Sequence, residues 1–294
     1  MTASTPHHIR ARRSALYMPA SNSRALDKAR ALDADVIIID LEDSVLPEAK
    51  ASARDAAVAA VTAGGFGRRE VVIRVNGIDT AWAGDDLRAV ACSGADAVLL
   101  PKVSDAAGLA AAIRLLDTAG GGELGIWAMV ELPEAVISLG AIAIANPRLS
   151  VAVMGTADLA RAMRVPPDDT RSGLLTALSH SVLAARARGL DILDGIFTDL
   201  RDTTGFRAAC LQGKALGFDG KTLIHPTQIA IANEVFGVSD AGAAAAARLI
   251  AAWETAAATG QAIAVQDGRM IEQLHAEEAR RVLALHAAQQ SRSA

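Results

Sequence analysis

The stretch Val36-Ile37-Ile38-Ile39-Asp40-Leu41-Glu42-Asp43-Ser44 runs four branched apolar residues directly into a cluster of carboxylates. A strand with one wet face alternates apolar and polar residues. One that is apolar at every position suits a parallel sheet covered by helices on both faces. The charges stand at its C-terminal end, where parallel α/β folds place their chemistry.

The same pattern recurs along the chain. Strands are expected at Ala15–Met18, Val36–Ile39, Val71–Val75, Ala97–Leu100, Ile126–Val130, Val151–Met154, Asp191–Leu193 and Thr222–Ile224. Helical patterns rich in Ala, Leu and Arg fill the gaps at 22–33, 47–63, 84–92, 105–117, 134–145, 172–188, 202–216 and 226–236. Eight such alternations in this length fit a (β/α)8 TIM barrel better than a doubly wound sheet. The expected α/β barrel spans 12–236, and 237–294 forms a C-terminal helical extension serving as a lid or an interface arm. Within that extension a helix over Ala241–Ala258 precedes a non-helical passage, "TGQAIAVQDGRM", and a last helix over 271–288.

Hydrophobic residues are 51% of the chain and aromatics only 3%, so the core must be built from Ala, Val, Ile and Leu. A net charge of -4 lacks the basic excess that nucleic-acid backbones require. Cys92 and Cys210 both fall in helical patterns, where core packing in a reducing cytoplasm is expected. No secretory apolar run follows the basic N-terminus, and no uninterrupted apolar segment approaches a membrane span. A cytoplasmic protein with no membrane or nucleic-acid partner is expected.

The strand tips carry Asp40, Glu42 and Asp43 after strand 2, Arg74 and Asn76 at strand 3, and Lys102 after strand 4. Glu131 follows strand 5, Asp158 strand 6, and His225 strand 8. Singly, each reads as a solvated loop charge or a cap: Asp158 for a following helix, Asp43-Ser44 for a helix starting at Pro47. Together they converge on one volume at the barrel mouth. Glu131 and Asp158 offer hard oxygen ligands with no His or Cys nearby, a set that favours Mg2+ over Zn2+. Arg74 has the planar fork for a carboxylate, either of a substrate or of the residues after strand 2. The glycines of "TAGGGELG" and "GGFG" lack the P-loop Lys-Ser/Thr, and no GxSxG elbow or spaced His pair occurs.

In order, "RRSALYMPASNSRALDKA", "DVIIIDLEDSV", "VIRVNG", "DAVLLPKV", "MVELPEAV", "VMGTADLA", "GFDGKTLIHPTQI" and "DGRMIEQLHAEEARRVL" resemble the citrate lyase β-subunit-like family of the HpcH/HpaI aldolase superfamily, which includes malyl-CoA and citramalyl-CoA lyases. The resemblance covers about residues 12 to 285. It implies a Mg2+-dependent TIM barrel, trimeric or hexameric, that breaks or forms a carbon-carbon bond beside a CoA thioester. By motif, Glu131 and Asp158 correspond to the metal ligands and Arg74 to the residue gripping a small keto acid such as glyoxylate or pyruvate. Glu42 and Asp43 would border the metal's waters, and Asn22, Arg24 and Lys28 would face the CoA phosphates. Two positions depart from the family. Leu132 replaces a Ser or Thr after the metal-binding Glu, and Glu272 stands where CoA lyases carry an Asp that reaches a neighbouring subunit's site.

The implied reaction is a Claisen-type cleavage of a short 3-hydroxyacyl-CoA such as malyl-CoA, methylmalyl-CoA or citramalyl-CoA, with Asp43 and Glu272 as candidate acid and base. A thioesterase acting on (3S)-malyl-CoA, and a citrate lyase β-type subunit acting on a citryl thioester, are the alternatives. A CoA-independent aldolase would need an early catalytic His, and none follows strands 1 to 3.

Overall fold

A computed structural model describes residues 9–166 and 168–291. The described chain divides into two compact units, one of residues 12–236 and one of 237 onward together with the segment before Arg12.

The larger unit is a closed barrel of eight parallel strands in sequence order. They are β1 (Ser14–Pro19), β2 (Val36–Asp40), β3 (Glu70–Arg74), β4 (Ala97–Leu100), β5 (Gly125–Val130), β6 (Leu149–Met154), β7 (Asp191–Asp194) and β8 (Gly220–Leu223). The apolar run that opened the analysis is explained by the period of two along a strand. Val36 and Ile38 join Ala15, Val72, Leu99, Trp127 and Val153 in a cluster inside the barrel. Ile37 and Ile39 join the larger cluster that includes helix residues such as Leu26, Ala53 and Leu87. Both parities are therefore buried.

The same parity aims the site. Asp40 follows Ile38, Arg74 follows Val72 and Glu131 follows Met129, each two residues beyond an inward-facing side chain, so the charges continue the barrel lining at its C-terminal mouth. The opposite end is closed by Arg12, whose guanidinium bonds Glu70 at 2.7 Å, pairs with Asp191 and lies over Trp127.

Helices surround the strands: α1 (Ser23–Ala29), α2 (Lys50–Ala63), α3 (Ala83–Ala91), α4 (Ala106–Thr118), α5 (Pro133–Ile144), α6 (Thr156–Met163), α7 (Leu175–Arg186), α8 (Thr203–Leu216) and α9 (Ile229–Phe236). Because α6 has only two turns, α5 packs directly on α7. Three expectations are corrected. Asp158 lies inside the first turn of α6, with Gly155 at the cap. Leu46 precedes the 3-10 turn Pro47–Ala49 without a side-chain cap, so Asp43 and Ser44 do not cap it. Strand β8 lies two residues earlier than expected at its start, because buried Lys221 belongs to it.

The C-terminal unit contains α10 (Asp240–Ala258), a hairpin of β9 (Ala264–Gln266) and β10 (Arg269–Ile271), and α11 (Gln273–Gln290). Ala256, Ala264 and Ile271 form its core with Leu249, Ala252 and Trp253. The expected non-helical passage is thus a hairpin. Its turn is Asp267-Gly268, both at positive φ (49° and 73°), the conformation of a type I′ turn and the reason "DG" is the hairpin signal. An 18-residue window within 226–258 has the mean hydropathy of a membrane span, 1.4, but the range comprises two helices, and Ser239 caps the second of them. Asp240, Arg248 and Glu254 further interrupt it.

Candidate active site

Arg74, at the end of β3, is buried and fixed from three sides. Its Nε and Nη2 donate to the two oxygens of Asp40 at 2.6 and 2.7 Å, its Nη1 lies 2.8 Å from Glu42 Oε2, and the guanidinium stands 4.8 Å from the Tyr17 ring centre. Such a bidentate pair is strong and directional. Of the two expected uses of the Arg74 fork, the pairing with the carboxylates after strand 2 is present: one edge is taken by Asp40, and Nη1 lies against Glu42 and 3.6 Å from the exposed Asp43.

Asp40 also organises the loop after β2. Its oxygens accept from the backbone N–H groups of Glu42 (2.9 Å) and Ser44 (3.2 Å), folding the loop back over the strand end. Burial raises the Asp40 pKa, but Arg74 and these donors outweigh it and hold the carboxyl below its ordinary value. Lys50 of α2 secures the loop from behind, donating to the carbonyls of Leu41 (2.8 Å) and Glu42 (2.7 Å). The sequence reading did not single out Lys50; a lone Lys in an Ala-rich helix carries no signal of what it will touch.

Glu42 is therefore turned inward. Its Oε2 approaches Arg74 as an ion pair without hydrogen-bond alignment, leaving a buried acceptor open. Burial, together with Asp43 and Glu131 and against the pull of Arg74, pushes the Glu42 carboxyl up to about 7.

Across the mouth, Glu131 is buried at the end of β5. Its Oε1 accepts the Lys102 backbone N–H at 2.6 Å. Burial raises its pKa, opposed by that N–H and the Lys102 charge. Gly155 makes room for it: a Cβ there would lie 2.4 Å from Glu131 Cβ and 2.7 Å from Oε2. Asp158 is half-buried and pairs with Lys102 Nζ and with Arg161 at 2.8 Å. These cations hold its carboxyl below the ordinary value despite partial burial. Lys102 Nζ also lies 3.5 Å from Glu131 Oε1 and 3.6 Å from Glu42 Oε1. An ammonium thus occupies the centre of the acidic cluster.

Tyr17, Asp40, Asp43, Arg74, Glu131 and Asp158 line one cavity of about 300 Å3, with Met129, Met154, Ile196 and Ile224 among its apolar walls. Among the described residues no three carboxylate, imidazole or thiol groups converge as a protein-only metal cage. The chemistry of the donor set nevertheless fits a hard cation that keeps several waters: Glu131 and Asp158, both lining the cavity, are oxygen donors that would hold it.

Asn22, Arg24, Lys28 and Leu132 do not line this cavity. Asn22 caps α1, accepting the Ala25 N–H at 3.1 Å, and Arg24 and Lys28 are exposed one turn apart on that helix after β1. Glu272 belongs to the C-terminal unit, where its N–H donates to His275 Nδ1 at 3.0 Å at the start of α11. Leu132 starts α5 and packs on the core. Cys92 is exposed, contrary to expectation, because α3 ends just before it. Cys210 is buried, and burial pushes its thiol up to about 11.

Residues 13–226 match the family model described as HpcH/HpaI aldolase/citrate lyase. The chain belongs to the HpcH/HpaI aldolase/citrate lyase family. A (3S)-malyl-CoA thioesterase of Cereibacter sphaeroides is 46% identical over 280 residues, covering 95% of each chain. An L-malyl-CoA/beta-methylmalyl-CoA lyase of the same species is 33% identical, covering 91% of this chain and 92% of the relative. Among solved structures, the protein CitE of Mycobacterium tuberculosis in complex with magnesium, acetoacetate and coenzyme A superposes with a TM-score of 0.74 at 28% identity, covering 93% of this chain and 97% of that one. The family is of lyase and aldolase type, and the closed barrel with C-terminal helices agrees with its fold.

Proposed function

We propose that this family member hydrolyses the thioester of a short 3-hydroxyacyl-CoA, (3S)-malyl-CoA or a close analogue, with Mg2+ as cofactor. The observation that carries the reading is the 46% identity over nearly the whole chain to proteins named for that hydrolysis, against 33% to those named for the lyase. Glu131 and Asp158 would hold the cation, which supplies Lewis-acid polarisation of substrate oxygens.

The chain's own groups then have distinct tasks. Arg74 offers Nη1 to the acyl carboxylate while Asp40 and Tyr17 keep its plane fixed, so orientation is set before substrate arrives. Glu42, whose carboxyl burial pushes up to about 7, lies against the cavity-lining Arg74 and is the candidate to take a proton from an attacking water. The water oxygen bonds to the thioester carbonyl carbon, the C–S bond breaks, and the thiolate of CoA recovers the proton. Asp43, exposed at the cavity edge, is the second acid. Asn22, Arg24 and Lys28 stand on the segment after β1 to meet the CoA phosphates. Glu272 would act from a neighbouring copy in a homo-oligomer, trimeric or hexameric, in the cytoplasm.

Carbon-carbon cleavage by the same site is the second reading. The 33% identity to the malyl-CoA/methylmalyl-CoA lyase favours it, and the metal, Arg74 and one acid-base pair would suffice. The two separate by product. With (3S)-malyl-CoA and Mg2+, the purified protein is expected to release malate and free CoA thiol in equal amounts. Acetyl-CoA and glyoxylate instead would replace the hydrolase reading by the lyase one. Glu131→Gln should abolish the Mg2+-dependent turnover.

A further inference from the structure

Lys102 is not an ordinary loop lysine. Its backbone sits in the left-handed region at φ 53°, a conformation uncommon for a side chain of this size. That turn aims its N–H at Glu131 and sends its ammonium among Glu131, Asp158 and Glu42. The backbone is therefore anchored while the side chain, 31% exposed, has a route to solvent. The ammonium holds the position that a cation shared by these oxygens would need.

We propose that Lys102 is an exchangeable counter-cation: it neutralises the acidic cluster in the metal-free protein and swings out when a divalent cation takes its place. This rests on the reading that Glu131 and Asp158 bind such a cation. Two positive ions drawing on the same carboxylate oxygens repel each other, so the doubly charged one displaces the singly charged one. The cluster is thereby never left uncompensated, which in a buried setting would be costly. Lys102 is a placeholder for the cation and not one of its ligands, and the Glu131 contact that persists through the exchange is the backbone N–H of Lys102.

The test uses the full chain with Mn2+ as probe. Acylation of lysines, followed by peptide mass spectrometry, should show Lys102 labelling severalfold faster at saturating Mn2+ than without it, while exposed Lys28 serves as an unchanging reference. Lys102→Met should bind Mn2+ about tenfold more tightly or better, measured from the free-ion electron paramagnetic resonance signal, since no competitor remains. Labelling that is flat or slowed by Mn2+, or a variant binding no tighter than the native protein, overturns the exchange. The labelling arm needs no variant and decides the matter if Lys102→Met does not fold. Absence of any Mn2+ binding by the native protein would overturn both the exchange and the metal reading, whereas binding with unchanged labelling removes the exchange alone.

Discussion

At the scale of single residues, the site depends on what is missing at position 155 as much as on the acids. A methyl group at Gly155 would overlap Glu131 Cβ, which is buried and cannot retreat as a flexible chain end could. Gly155→Ala should therefore displace Glu131, costing about 1–3 kcal/mol of stability by overpacking. It should also weaken Mn2+ binding by about tenfold or more, since a shift on the order of 1 Å is enough to spoil a ligand set. Urea unfolding and Mn2+ titration check the two effects; a stable variant with native metal affinity would show that Gly155 does not shape the site. The charges at positions 40, 42, 74, 131 and 158 were legible in the sequence because each ends or follows a readable strand. Gly155 and Lys50 were not, because their roles are set by neighbours distant in sequence: Glu131 for one, the Leu41 and Glu42 carbonyls for the other.

At the scale of elements, β7 and β8 are joined by a buried ion cluster. Lys221 Nζ donates to Asp194 Oδ2 at 2.8 Å, and Arg171, held at positive φ between α6 and α7, reaches both Asp194 oxygens at 2.7 and 2.8 Å. Both strand residues are fully buried. Lys221→Met removes one of two cations from a carboxylate that water cannot reach, and is expected to cost about 3–5 kcal/mol. Urea denaturation of the full chain measures it, and a loss below about 1 kcal/mol, the scale of an exposed pair, would mean that Arg171 alone suffices. The cluster also explains why the last strand was hard to read. The first six strands are almost continuously apolar, whereas "GKTL" places a charge where sequence logic expects a Val, and its partner is 27 residues earlier. The hairpin β9–β10 was missed for a different reason: each strand has only three residues, too short for a period, and only Asp267-Gly268 marks the turn.

At the scale of the whole molecule, the barrel buries two cation-paired carboxylates, Asp40 and Asp194, that contribute to its response to acid. In both, burial acts to raise the pKa, and the facing cations, Arg74 for Asp40 and Lys221 with Arg171 for Asp194, more than reverse it. The folded pKa thus lies below the unfolded value of about 3.9. Between the two values the unfolded chain binds more protons than the folded one, so stability rises with pH through that window. The contribution is complete above the unfolded value and is lost as pH falls through the folded values. The unfolding free energy in urea should therefore be insensitive to these two groups above about pH 5 and fall steeply below about pH 4. Asp194→Asn is expected to start from lower stability at neutral pH yet show a shallower acid slope, because its side chain no longer takes up a proton on unfolding. An unchanged slope would mean that Asp194 titrates alike in both states, and that the ions between β7 and β8 do not hold its charge.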